Sequence, residues 1–180
     1  MGELQPWVEE TVARYREEII QVMQTLVRIP SENTPPTGAE LACQEYIAGY
    51  LRDLGLEVDF YTLDEVPELS THPDYWPGRV YTNRPNVSTI LRGLGDGRSL
   101  LLTGHSDTVP LFADDVWTVD PFGGVVKEGR LYGLGAVDMK GAMGAMLVLM
   151  KALMETGIRL KGDLTYECVV DEEVAGVNGT

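Results

Sequence analysis

The chain has 180 residues, 44% apolar and 23% charged, which is ordinary globular composition with enough apolar content for one domain-sized core. Acids outnumber bases 28 to 14, a net charge of −14, so phosphate backbones and anionic lipid would be repelled. No nucleic-acid partner and no membrane partner is therefore expected. Two distant cysteines, Cys43 and Cys168, fit neither a disulfide framework nor a cysteine zinc site, and read as reduced, buried thiols of a cytoplasmic protein.

The N-terminus carries Glu3, Glu9 and Glu10 and lacks the apolar stretch of a signal peptide. Val8, Val12, Tyr15, Ile19, Met23 and Leu26 recur at spacings of three or four, which predicts an amphipathic helix from Gln5 to about Arg28, stopped by Pro30. Ser31 to Gly38 reads as a polar loop. A second helix is expected from about Ala39 to Leu54, with Gly55 as its left-handed cap. Alternation at Leu56, Val58 and Phe60 predicts a strand, and Glu65 to Pro85 reads as a long surface loop.

Asn86 to Leu91 is expected to be a short strand. Ser99 to Gly104 (SLLLTG), apolar on both faces, reads as a central strand covered from each side. A hairpin should turn at Glu128-Gly129 between Val125–Lys127 and Arg130–Tyr132. The apolar run Gly141 to Met150 is about half the roughly 20 residues of a membrane span. It belongs instead to a helix from about Met139 to Thr156, closed by Gly157. Asp163 to Val170 is a strand again. Strand, crossover helix and strand predict the α/β class, with a mixed, mostly parallel central sheet covered by helices on both faces.

In open α/β sheets, ligands collect at the carboxyl ends of the strands. His105, Ser106 and Asp107 follow the SLLLTG strand, in the run GHSDTVP; Asp171, Glu172 and Glu173 follow DLTYECVV; Asp138 precedes the crossover helix, in GLGAVDMKGA. Imidazole with carboxylates is a ligand set for zinc or a similar divalent ion. Taken singly, each residue has a plainer reading. Asp138 could be a helix N-cap, Asp171–Glu173 a solvated turn, and His105 a hydrogen-bonded residue at a strand end. Taken together, three coincidences on one edge would be needed. GLGAVD fails as a dinucleotide fingerprint because Asp138 stands where the third Gly belongs, and His105, Ser106 and Asp107 are too close in sequence for a serine triad. His72 reads as a surface residue.

GHSDTVP, then GLGAVDMKG, then DEE after a further strand, resembles the zinc-dependent aminoacylase and carboxypeptidase family of metallopeptidases, which includes acetylornithine deacetylase, succinyl-diaminopimelate desuccinylase, aminoacylase-1 and glutamate carboxypeptidase. The leading helix, RPNV at Arg84–Val87 and NGT at Asn178–Thr180 extend the likeness. The resemblance implies two divalent metal ions, zinc first and cobalt or manganese next. His105 would ligate one ion, Glu173 the other, and Asp138 both. Asp107 would orient the imidazole and Glu172 would act as general base. It further implies hydrolysis of an amide bond in an N-acyl amino acid or small peptide, and a full-length form able to be a homodimer. Residues 1–180 would be the N-terminal part of the catalytic domain, with the rest of that domain and a lid or dimerisation domain outside it. The 180 residues by themselves would then be inactive. A dipeptidase, or a non-catalytic metal-binding or interaction fragment, are the alternatives.

Overall fold

The computed structural model describes residues 5–176 and 178–179; Glu3 and Thr180, both used above, lie outside them. Three helices account for the long periodic segments: α1 (Gln5–Arg28), α2 (Leu41–Asp53) and α3 (Gly141–Glu155). Each buries one stripe at helical spacing, including Tyr15, Val22 and Leu26 on α1 and Met143, Leu147 and Met150 on α3. Gly55 (φ 81°) and Gly157 (φ 68°) take the left-handed conformation that ends α2 and α3, as their positions predict.

The strands are β1 (Asn33–Thr34), β2 (Thr37–Gly38), β3 (Val58–Thr62), β4 (Pro85–Leu91), β5 (Leu100–His105), β6 (Val125–Lys127), β7 (Arg130–Tyr132) and β8 (Leu164–Val169). β3, β4, β8 and β5 form the main sheet, in that order. β3 and β8 run antiparallel to β4, while β5 runs parallel to β8 and joins it through α3. The α/β class and the mixed sheet agree with the sequence reading. Two of the three pairings are antiparallel, however, because β3, β4 and β8 all meet that way.

One core holds the sheet and helices together. Val87 of β4 and Leu164, Tyr166 and Cys168 of β8 pack with Leu26, Ile47, Leu51, Met143 and Leu147 from all three helices. These strand residues share one face, so the described helices cover that face only, and not both as the sequence predicts. On the other face Ile90 and Leu101 remain 40% and 52% exposed.

Two further expectations are corrected. β5 is not central but the edge strand of the described sheet, and its Leu100 is 58% exposed. An apolar run is therefore not proof of cover on both faces. Ser31–Gly38 is not a plain loop: β1 and β2 form a small hairpin, and Glu32 bridges to Thr108. The β6–β7 hairpin turns where predicted, with Glu128 (φ 52°) and Gly129 (φ 75°) both left-handed as a tight two-residue turn requires. No helix among the described residues is long and apolar enough to cross a membrane.

Candidate metal centre

The parallel pairing of β5 with β8 sets His105 opposite Val169, so the carboxyl ends of both strands finish side by side. His105 closes β5. Glu172 and Glu173 lie just beyond β8. Asp138 comes from an irregular turn, Ala136–Lys140, where Asp138 (φ −120°, ψ 98°) and Met139 leave helical geometry before α3 begins. Asp138 is thus not the helix N-cap, a position held by Lys140. Gly135, at φ 72°, starts this turn, and a Cβ there would come within 2.5 Å of the Thr108 side chain.

His105, Asp138 and Glu173 each offer a ligand atom, and these atoms all lie within 4.8 Å of one another. His105 Nε2 is 3.0 Å from Asp138 Oδ1 and 3.4 Å from Glu172 Oε2. The other ring nitrogen, Nδ1, is 3.0 Å from the main-chain carbonyl of Asp107 and 3.4 Å from its carboxylate Oδ1. Asp107 therefore touches the imidazole twice, and the shorter contact is the backbone one. The ring is buried, while the Asp138 side chain is 72% exposed, so the group is open from one side.

Burial by itself would lower the His105 imidazole, but the Asp107 and Glu172 carboxylates outweigh it and lift it to about 9. Burial raises Glu173; His105 opposes the rise, and Asp138, Asp107 and Glu172 add to it. Asp107 is pushed up by burial yet held below the usual carboxylate range, through His105 and the donors Glu173 N–H and Asn33. Several acids crowded about one imidazole form a negative, nitrogen-and-oxygen donor set that suits a divalent cation. The residues fit such an ion.

The sequence reading missed what lies beneath. Asp171 is fully buried, at φ 70°, and not part of a solvated turn. It accepts the Tyr81 hydroxyl at 2.8 Å, pairs with Arg79, and lies 3.2 Å from Arg84 Nη2. Arg84 also holds Glu40 through two bonds of 2.9 and 2.5 Å. These residues correct the reading of Glu65–Pro85 as a surface loop, because its final part turns inward: Tyr81 and Arg84 are 1% and 0% exposed. Buried carboxylates at Asp171 and Glu40 require cations and donors, which local periodicity does not report. RPNV, noted above, was the one signal pointing to Arg84. Asn178 donates to the Tyr81 hydroxyl at 2.8 Å, and His72 is exposed as expected. A groove lined by Leu56, Val58, Leu91, Leu153 and Leu160 lies at the opposite end of the sheet and includes none of these residues.

Residues 101–180 match the model of peptidase family M20/M25/M40. The N-formyl-4-amino-5-aminomethyl-2-methylpyrimidine deformylase of Bacillus subtilis (strain 168) is 36% identical over 175 residues, 96% of this chain and 37% of that protein. The succinyl-diaminopimelate desuccinylase of Methylobacterium sp. (strain 4-46) is 39% identical over 163 residues, 89% of this chain and 36% of that protein. Human carnosine dipeptidase 1 shares the fold, with a TM-score of 0.72 at 20% identity over 88% of this chain and 33% of that one. The chain spans just over a third of the length of the curated relatives it matches. Residues 101–180, which carry all three motifs, thus match peptidase family M20/M25/M40, and the two curated relatives extend the likeness along almost the whole chain.

Proposed function

We propose that residues 1–180 form the N-terminal part of the catalytic domain of a cytoplasmic amide hydrolase, which removes an acyl group from the nitrogen of a small molecule. One observation carries this reading. His105, Asp138 and Glu173, from three separated segments, present ligand atoms within 4.8 Å of one another at the carboxyl ends of parallel strands. His105 would hold one ion, Glu173 a second, and Asp138 both, with zinc the first choice for donors of this kind. Bound divalent ions would polarise the amide carbonyl and acidify an attacking water.

The chain's own residues supply the remainder. Glu172, whose Oε2 is 3.4 Å from His105 Nε2, would take a proton from the attacking water and return it to the departing amine. Asp107 holds the imidazole from behind, and its negative charge favours a proton on Nδ1, leaving the Nε2 lone pair for an ion. The relatives named deformylase and desuccinylase favour a deacylase over a dipeptidase, since both names describe removal of an acyl group. The likeness to carnosine dipeptidase is one of fold.

The test is a titration of the purified protein with Co²⁺, read by its visible absorption bands. Saturable bands are expected for the unaltered chain, and their loss in His105→Ala. Bands that are absent, or that survive this substitution unchanged, would remove the basis of the proposal.

A further inference from the structure

Beneath the ion-binding group, Asn33 connects two buried carboxylates that belong to different segments. Its Nδ2 donates to Asp107 Oδ2 at 2.8 Å and to Asp171 Oδ1 at 3.0 Å. Its Oδ1 accepts from Arg79 Nη2 at 2.6 Å. These partners settle the orientation of the amide, because Arg79 can only donate and ionised carboxylates can only accept. Asn33 is 1% exposed and its backbone is equally fixed: its N–H donates to the Thr108 carbonyl at 2.8 Å, while the Thr108 N–H donates to Ser31 at 3.0 Å.

The effect falls on Asp107. Its Oδ2 takes two donors, Asn33 Nδ2 and the Glu173 N–H at 3.0 Å. Its Oδ1 is buried without a hydrogen-bond partner and lies 3.4 Å from His105 Nδ1. A carboxylate pinned at one oxygen keeps the other aimed at the imidazole. The Glu173 N–H is set by the same oxygen, so one amide side chain fixes both the partner of His105 and the backbone that carries Glu173.

We infer that Asn33 is a positioning residue of the metal centre: through the Asp107 carboxylate it sets the His105 ring and the Glu173 backbone for ion binding. The inference rests on the reading of His105 and Glu173 as ion ligands. Outer partners of metal-bound histidines commonly change metal affinity by about 10- to 100-fold.

Asn33→Asp is the discriminating substitution. It keeps the size of the side chain and the acceptor for Arg79, but replaces the N–H donors with an acceptor oxygen and a negative charge facing Asp107 and Asp171. The added negative charge alone would tighten cation binding, so weaker binding reports lost positioning. Asn33→Leu is the uncharged companion. The experiment titrates the 180-residue protein with Co²⁺ alone for wild type, His105→Ala, Asn33→Asp and Asn33→Leu. Far-UV circular dichroism and the Tm of the cobalt-free proteins are recorded in parallel.

The expected result is a loss of Co²⁺ affinity of at least about tenfold in both Asn33 variants. Altered band intensity should accompany it, with the folded signal retained in at least one variant. Affinities and bands equal to wild type, with binding lost in His105→Ala, would overturn the role of Asn33 and leave the ligand reading intact. Unfolding of both Asn33 variants would also overturn it, assigning Asn33 to the fold. Absent binding by wild type, or binding unchanged in His105→Ala, would overturn the ligand reading itself.

Discussion

Glu172 and His105 meet at 3.4 Å on the side of the ring that faces Asp138, whereas the next residue, Glu173, is tied through its backbone N–H to Asp107. Neighbours in sequence are thus held in different ways, which allows them different tasks. Glu172→Gln removes a proton acceptor and should leave bound metal within about twofold of wild type. Glu173→Gln weakens a ligand and should lower the bound metal by about tenfold or more. Metal content after dialysis against a fixed free zinc concentration separates the two. Equal loss in both variants would contradict the division of labour.

A second prediction concerns pH. In metal-free protein the His105 imidazole stands at about 9, above its ordinary 6.5, so the folded state holds the proton more tightly than the unfolded chain. This contribution to stability is complete below pH 6.5 and is lost as pH rises through about 9. In chelator, the Tm advantage of wild type over His105→Gln should shrink between pH 6 and 9. A proton and an ion also compete for Nε2, so apparent zinc affinity should rise across the same interval. Affinity constant from pH 6.5 to 9 would show that the imidazole is not a ligand.

The third prediction tests the buried ion pairs. The Arg84 and Glu40 side chains are 1% and 0% exposed, and Arg84 also reaches Asp171. Arg84→Ala strands buried carboxylates and should cost about 3–5 kcal/mol of unfolding free energy. Adding Glu40→Gln should recover part of that loss, because one stranded charge is removed. Urea denaturation of the single and double variants measures the coupling; strictly additive effects would mean the pair does not interact.

A fourth prediction follows from counting ligands. On the proposed assignment, with Asp138 shared, each of two ions would have only two side chains among the described residues, whereas catalytic zinc sites generally keep three plus a water. The isolated 180-residue chain, supplied with zinc or cobalt, should show no measurable release of formate or succinate from N-acylated amines, nor cleavage of dipeptides. Turnover that Glu172→Gln abolishes would show that these side chains suffice.

What the sequence made legible was whatever is encoded locally. The helix from Gln5 to Arg28, the caps at Gly55 and Gly157 and the turn at Glu128-Gly129 each depend on near neighbours and lie where expected, although Val8 and Val12 of the predicted stripe stay 46% and 54% exposed. His105, Asp138 and Glu173 could be singled out because each directly follows a strand or precedes a helix, and strand ends converge by topology. Asn33, Arg79 and Tyr81 could not, and Asp171 stood out only as one of three acids after a strand, not as a buried one. Arg79 and Asp171 are 92 residues apart, and their burial arises from charge compensation between irregular segments that carry no period. The length and apolarity of SLLLTG were equally silent about whether both of its edges would be paired.

That edge position has a dynamic consequence for His105. β5 is fastened to the sheet along one side only, by its parallel pairing with β8, and no strand among the described residues flanks its other side. Edge segments open at lower free energy than strands paired on both sides, so an imidazole at the end of β5 shares in that local breathing. Backbone amides of Leu100–His105 should exchange with deuterium faster than those of Leu164–Val169, and zinc should slow them selectively by tying His105 to Glu173 beyond the neighbouring strand. An ion at this site would act as a clasp on the loose margin of the sheet.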